Sequence, residues 1–176
     1  MADLHKRVYT HTYQSPLGPL AIAVDRRGRV LQIVFGSELE VGSQQITEEN
    51  KYACGEVEYQ LDHYFAGDLT QFTVDVALTG TDFQRTVWNS LLKIGYGETI
   101  TYGEIARKIG KKSAARAVGN AVAVNPIPII VPCHRVLPAS GKVGNYALRS
   151  LKDGSGTELK RMLLSLEGAL SDHAVA

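Results

Sequence analysis

Pro132-Cys133-His134-Arg135 sets a soft nucleophile beside a titratable base, and no other stretch of the chain combines groups so suited to covalent chemistry. A thiol with an unperturbed pKa near 8.5 is only about 3% thiolate at pH 7, and apolar neighbours lower that fraction, so a reactive Cys133 needs a base. His134 is adjacent, but successive residues on an extended chain point to opposite sides. A direct contact therefore requires a sharp turn, and a relay through one bridging water is the arrangement expected here. His134 in turn needs a carboxylate to fix its tautomer, and the residues alone nominate none uniquely. The competing reading is a packed core thiol, because a lone Cys in an apolar run is often that.

The segment leading into the thiol bears on this choice. Asn125-Pro126-Ile127-Pro128-Ile129-Ile130-Val131-Pro132 carries three prolines within seven residues. Such a run excludes helix and fixes a poorly deformable, extended backbone. A nucleophile on that support is positioned.

Upstream, the pattern predicts short helices. Thr81-Asp82-Phe83 opens one, with Phe83, Val87, Leu91 and Leu92 on one face and Trp88 beside them, and Gly95-Tyr96-Gly97 stops it. Thr101 caps a second, Tyr102 to Ile109, with Glu104 placed for a capping box. The basic turn Gly110-Lys111-Lys112-Ser113 leads to a third, residues 114 to 124. Two short helices joined by a Gly-containing turn read as a helix-turn-helix. The third helix is Ala, Gly and Val with one long charged residue, Arg116, and offers too few polar side chains to read base edges in a major groove. Its smooth surface with one projecting Arg suits a minor-groove contact, and a buried helix with Arg116 in a salt bridge is the alternative.

The first third of the chain reads differently. Residues 8–13, 20–24 and 30–35 have strand character, separated by the turn chemistry of Ser15-Pro16-Leu17-Gly18 and Asp25-Arg26-Arg27-Gly28, and an antiparallel meander is expected. From about Glu48 to Phe65 the apolar spacing predicts a helix ending at Ala66-Gly67-Asp68, and Phe72, Val74 and Val76 alternate as a further strand. Thr79-Gly80-Thr81 breaks the pattern, so the predicted division is a domain at 1–79 and a second at 80–168, with a flexible tail at 169–176. The fold class is α+β.

Composition narrows the setting. The sequence has no apolar leader and no stretch long enough for a membrane span, so a cytoplasmic chain without membrane partners is expected. Its two cysteines, Cys54 and Cys133, are too few for a disulfide framework and read as free thiols. The net charge of +1 conceals a split: residues 1–79 carry 6 Lys and Arg against 11 Asp and Glu, net −5, and residues 80–176 carry 13 against 7, net +6. A basic half is one signature of a polyanionic partner, and uneven solvated charge without a partner is the bland alternative.

Several motifs in order carry a resemblance. Phe83-Gln84 with Val87-Trp88, Tyr96-Gly97-Glu98-Thr99, Tyr102-Gly103-Glu104-Ile105-Ala106, Ala115-Arg116-Ala117-Val118-Gly119, Asn125-Pro126 and Pro132-Cys133-His134-Arg135-Val136 together resemble the O6-alkylguanine-DNA alkyltransferase family over about residues 80–168. The N-terminal third resembles that family's variable, RNase H-like domain only in its outline. The resemblance implies a winged helix-turn-helix-like DNA-binding motif and a direct-reversal repair activity. Cys133 would take the alkyl group from guanine O6, and from thymine O4, permanently and once. His134 would activate Cys133 through water, Glu167 would orient His134, and Tyr102 would protonate the departing guanine. Arg116 would hold the gap left by the flipped nucleotide, with Ala115, Gly119 and Asn120 beside it on the DNA. Asn125 would tie the recognition helix to the reactive loop, and Pro128, Val136 and Tyr146 would line the base pocket, with backbone at Cys133 and Val136 reading the guanine edge.

The implied partner is double-stranded DNA bearing an alkylated guanine, met through the minor groove by a monomer. In a bacterium or archaeon the protein would be nucleoid-associated. No cofactor is implied. Zinc-binding members use N-terminal Cys and His ligands, whereas His5, His11 and His63 lack nearby Cys partners here, so no metal is expected. The chain departs from the family after Tyr146, where residues 147–153, with Arg149 and Lys152, form an insertion beside the expected pocket. Other readings are a lesion-binding module without activity, in which the reactive Cys is replaced, a cysteine hydrolase, which leaves Arg116 unexplained, and a transcriptional regulator, which the sparse third helix argues against.

Overall fold

The computed structural model describes residues 7–42, 44–144, 146, 151 and 155–170. The chain divides into two compact units, one ending at Leu78 and the other beginning at Thr79.

In the first unit, strands β1 (Arg7–Ser15), β2 (Gly18–Asp25) and β3 (Val30–Phe35) pair antiparallel as the expected meander. Ser15 closes the first turn by accepting from the Leu17 amide at 3.1 Å, and Gly18 follows at φ +97°, a conformation that favours glycine. Asp25 closes the second, accepting from the Arg27 and Arg29 amides at 2.8 and 3.0 Å. A fourth strand, β4 (Ile46–Glu49), joins the other edge of β1 in parallel, giving the order β3-β2-β1-β4 and making the sheet mixed. The predicted helix start at Glu48 is thereby corrected: helix α1 spans Gly55–Phe65. Its apparent first apolar position, Tyr52, is 95% exposed, so the spacing there was not a buried stripe. Val57, Leu61 and Tyr64 do form that stripe. They supply the helix side of a core whose sheet side includes Leu20, Ile22, Val24 and Ile33. Each such burial stabilises by about 1.5–3 kcal/mol. The predicted strand at 72–76 is reduced to one bridge, Val76 to Val30.

The second unit is mostly helical. Helix α2 (Asp82–Leu91) and helix α3 (Tyr102–Lys108) both begin with a reciprocal cap, the expected one of Thr101 with Glu104 and a second, of Thr81 with Gln84, that the sequence reading did not include. A two-residue strand β5 (Ile100–Thr101) precedes α3 and pairs in parallel with β6 (Val136–Leu137). Gly110 at φ +75° turns the chain into helix α4 (Ala115–Ala123), completing the helix-turn-helix. Trp88 is 2% exposed and donates from Nε1 to the Ala121 carbonyl at 2.9 Å, tying α2 to α4. Val87, Leu91, Ile105, Val118, Ile127, Leu163 and Leu164 are buried around these elements, the last two from helix α5 (Gly156–Leu166).

Candidate active site

The proline-rich segment ends in a single turn of 3-10 helix, Cys133–Arg135, which β6 follows directly. One turn thus delivers thiol, imidazole and guanidinium into the same interior. Cys133 is 1% exposed, His134 0% and Arg135 6%.

Asn125 organises the approach to the thiol. Its amide Nδ2 donates to the Val131 carbonyl at 2.8 Å and to Cys133 Sγ at 3.0 Å, while Oδ1 accepts from the Ile127 amide at 3.0 Å. The segment it spans includes Ile129 at φ +74°, a conformation that a β-branched residue tolerates only when its surroundings impose it. Ile129 is fully buried, and that packing holds the strain. Cys133 Sγ also donates to the Tyr146 hydroxyl at 3.5 Å. Burial raises the thiol pKa, and the Tyr146 and Asn125 contacts and the nearby Lys160 charge oppose the rise.

His134 Nε2 meets Glu167 Oε1 at 2.7 Å, and His134 Nδ1 is buried with no hydrogen-bond partner among the described residues. The ring therefore keeps one nitrogen for the carboxylate and one for something else. No direct hydrogen bond joins Cys133 to His134 among the described residues. Burial holds the His134 pKa low, against the upward pull of Glu167, so the neutral base is the resting form.

Glu167, with a fully buried side chain just past the end of α5, is shared. Arg135 donates to it twice, from Nε to Oε2 and from Nη2 to Oε1, both at 2.9 Å, and from Nη1 to the Ile94 carbonyl at 2.5 Å. The Arg135 guanidinium lies 5.9 Å from the centre of the Tyr96 ring, and the Gly97 amide donates to Glu167 Oε2 at 3.3 Å. Gly97 sits at φ +75°, and a Cβ there would meet the Glu167 carbonyl oxygen at 2.9 Å, so this turn requires glycine. Arg135 and the Tyr96-Gly97 turn are contributors that sequence reasoning passed over. The φ-permissive Gly after an aromatic residue was the available signal.

Lys160 was also missed. It is 2% exposed on α5 and donates from Nζ to the Val136 carbonyl at 2.7 Å. It falls three and four residues before Leu163 and Leu164, and a lone Lys on an apolar helical stripe could have marked it.

Tyr102, at the start of α3, is close enough to Cys133 for the thiol's charge to raise its pKa, although burial is the larger cause. It packs toward α4, since a Cβ at Gly119 would lie 3.8 Å from its ring. On α4, Val118, Ala121 and Val122 face inward, while Arg116 and Asn120 are exposed and Ala115 and Gly119 are half-buried. The alternative of a buried helix with a salt-bridged Arg116 is thereby set aside. Pro128, Val136 and Tyr146 are all buried. The insertion at 147–153 falls outside the described residues apart from Leu151, as do His5 and residues 171–176 of the tail.

This is an α+β chain whose second unit holds a helix-turn-helix, a buried thiol and a buried His-Glu-Arg network. Residues 82–169 match the model for the DNA binding domain of 6-O-methylguanine DNA methyltransferase, and residues 8–78 match that for its ribonuclease-like domain. Among curated relatives, the methylated-DNA–protein-cysteine methyltransferase of Methanosarcina acetivorans is 46% identical over 92% of this chain and 99% of its own length. The protein of that name from Mycobacterium bovis is 48% identical over 91% and 92%. A crystal structure of the Mycobacterium tuberculosis O6-methylguanine methyltransferase aligns with a TM-score of 0.79 at 43% identity, covering 93% of this chain and 94% of that one. A structure of the tuberculosis protein in complex with DNA aligns at 0.75, with 43% identity and 93% coverage of both chains. The chain belongs to the 6-O-methylguanine DNA methyltransferase family.

Proposed function

We propose that this protein repairs alkylated DNA by direct reversal, with Cys133 as a single-use acceptor of the alkyl group from O6-alkylguanine and from O4-alkylthymine. The observation that carries the reading is the buried thiol held at 3.0 Å by Asn125, one residue before an imidazole bonded to a buried carboxylate. His134 Nδ1, the ring nitrogen without a partner among the described residues, is the atom that takes the thiol proton through a bridging water. Glu167 orients the ring and stabilises its protonated form. The sulfur attacks the alkyl carbon in line, the carbon–oxygen bond breaks, and its electron pair leaves on the guanine, which Tyr102 protonates. Burial keeps the Tyr102 proton in place until that moment. No second thiol lies near Cys133 in sequence to accept the group from the thioether, so each molecule acts once.

The exposed face of α4, with Ala115, Arg116, Gly119 and Asn120, meets duplex DNA through the minor groove, and Arg116 fills the gap left by the flipped nucleotide. Pro128, Val136 and Tyr146 close around the base, and Asn125 couples α4 to the reactive loop. Residues 80–168 form the reacting domain. A monomer suffices, acting in the cytoplasm. Incubation with duplex DNA containing O6-methylguanine, followed by intact-mass measurement, is expected to show one added methyl on Cys133 and none in Cys133→Ala. Binding without mass gain would make the protein a lesion-binding module instead.

A further inference from the structure

An ammonium removed from water costs several kcal/mol unless a counter-charge or a full set of acceptors meets it. Lys160 is 2% exposed, and the one acceptor for its three N–H groups among the described residues is the Val136 carbonyl. No carboxylate forms an ion pair with it among the described residues. The interior carboxylate, Glu167, is already engaged by Arg135 through two hydrogen bonds and by His134 through one. Among the described residues, the remaining groups around the pocket that can carry negative charge are the Cys133 thiol and the Tyr102 and Tyr146 hydroxyls, and the thiol is the most acidic of the three. Asn125 and Tyr146 contact the sulfur without bringing charge.

We infer that Lys160 is the resident counter-charge of the Cys133 thiolate, and that alkylation, by turning the thiolate into a neutral thioether, leaves this lysine as an uncompensated buried cation. The inference rests on Cys133 being the alkyl acceptor proposed above. It divides the labour inside the pocket. His134 supplies the path for the proton, and Lys160 supplies the positive charge that lets the anion exist away from water. The electrostatics run in that direction: burial pulls the lysine down to about 8, with the Cys133 charge opposing, and the Lys160 charge in turn draws the thiol's pKa down. Burial is the main cause that keeps His134 neutral, and the Lys160 charge acts in the same direction. By holding the Val136 carbonyl it fixes one wall of the base pocket as well. Its part is therefore positioning and electrostatic, and it touches no reacting atom.

The test measures thiolate directly, apart from DNA. Thiolate absorbance near about 240 nm is followed against pH in the intact chain, in Lys160→Met and in Lys160→Arg, each referenced to the same protein carrying Cys133→Ala. The expected result is a thiolate midpoint raised by about one unit or more in Lys160→Met and largely restored in Lys160→Arg. Methyl transfer at pH 7 should fall about tenfold in the Met variant, with the gap closing at alkaline pH. A folded Met variant with an unchanged midpoint overturns the inference, while methyl transfer by the intact chain in the same series upholds the function. No transfer by the intact chain overturns the function itself. If Lys160→Met does not fold, the unsubstituted protein decides. With 13C-labelled lysine, one side-chain signal should titrate at lower pH after Cys133 is methylated, and no change in any lysine midpoint on methylation overturns the inference.

Discussion

Glu167 serves two donors of opposite need. Arg135 locks it with a two-point hydrogen-bonded pair, and His134 uses it to hold a tautomer. Burial outweighs the upward pull of Glu167, with the Arg135 charge adding to it, and keeps His134 neutral despite a carboxylate 2.7 Å away. Glu167→Gln keeps the shape and removes the charge, leaving the Arg135 guanidinium buried without compensation. We expect a loss of about 3–5 kcal/mol in denaturant unfolding, together with slower methyl transfer. Unfolding within about 1 kcal/mol of the parent would show that the pair is not the anchor described. At this scale the sequence was partly legible. Cys133 and His134 announce themselves by chemistry, but Glu167 lies 33 residues beyond His134, and spacing offered no reason to choose it over other carboxylates. The resemblance supplied it. Arg135 and Lys160 escaped because the sequence carries no direct statement of burial, and a charged residue is assumed solvated until packing says otherwise.

The segment from Asn125 to Pro132 acts as one element although it has no regular structure. Its prolines limit the backbone, its buried Ile129 accepts a left-handed conformation, and Asn125 closes it with three hydrogen bonds. Asn125→Ala would leave the Ile127 amide buried without a partner, leave the Val131 carbonyl with the Cys133 amide alone at 2.8 Å, and strip a donor from the sulfur. Stability should fall by about 1–3 kcal/mol, and the Cys133 thiol should become less acidic, since that donor favours its charged form. Thermal melting and the thiolate titration check the two effects separately. An unchanged Tm would mean that the prolines and packing hold the segment without Asn125. Elements specified by local chemistry were read well from the sequence: the Thr101–Glu104 capping box, the opening of α2 at Thr81, the hairpin turns and the helix-turn-helix. β4 was missed because its register is set by β1, more than thirty residues away, and the four residues Ile46–Glu49 carry no alternation of buried and exposed positions to betray it. The stretch at 72–76 alternates like a strand yet gains only one bridge, so pattern permitted pairing that the fold did not supply.

Across the whole chain the two thiols form an internal contrast. Both are buried and free, and burial raises the pKa of each. The neighbours differ. Cys54 donates weakly to the Tyr9 carbonyl at 3.9 Å and feels the Glu58 carboxylate, which adds to burial in pushing its thiol up to about 12. Cys133 has Asn125, Tyr146 and Lys160, each of which pulls the other way. Glu58 thus adds to burial at Cys54, while Lys160 opposes burial at Cys133. A thermodynamic consequence follows for Cys54. Its folded pKa lies above the ordinary value of 9.0, so the folded state keeps a proton that the unfolded chain releases. Stability from this group is fully present below pH 9 and is lost as pH rises toward 12, about 2 kcal/mol of it by pH 10.5. Tyr13, whose pKa is raised by burial and by its 2.6 Å hydrogen bond to Asp62, adds a fall of the same sign at higher pH. Cys54→Ala should unfold more easily at pH 7, by about 1–2 kcal/mol for the cavity left, and should then lose less stability than the parent between pH 8.5 and 10.5. The contributions of Tyr13, Cys133 and Lys160 are common to both proteins and cancel in that comparison. Denaturant unfolding at a series of pH values measures it, and parallel curves for the two proteins would mean that Cys54 ionises in the folded state as freely as in the unfolded chain.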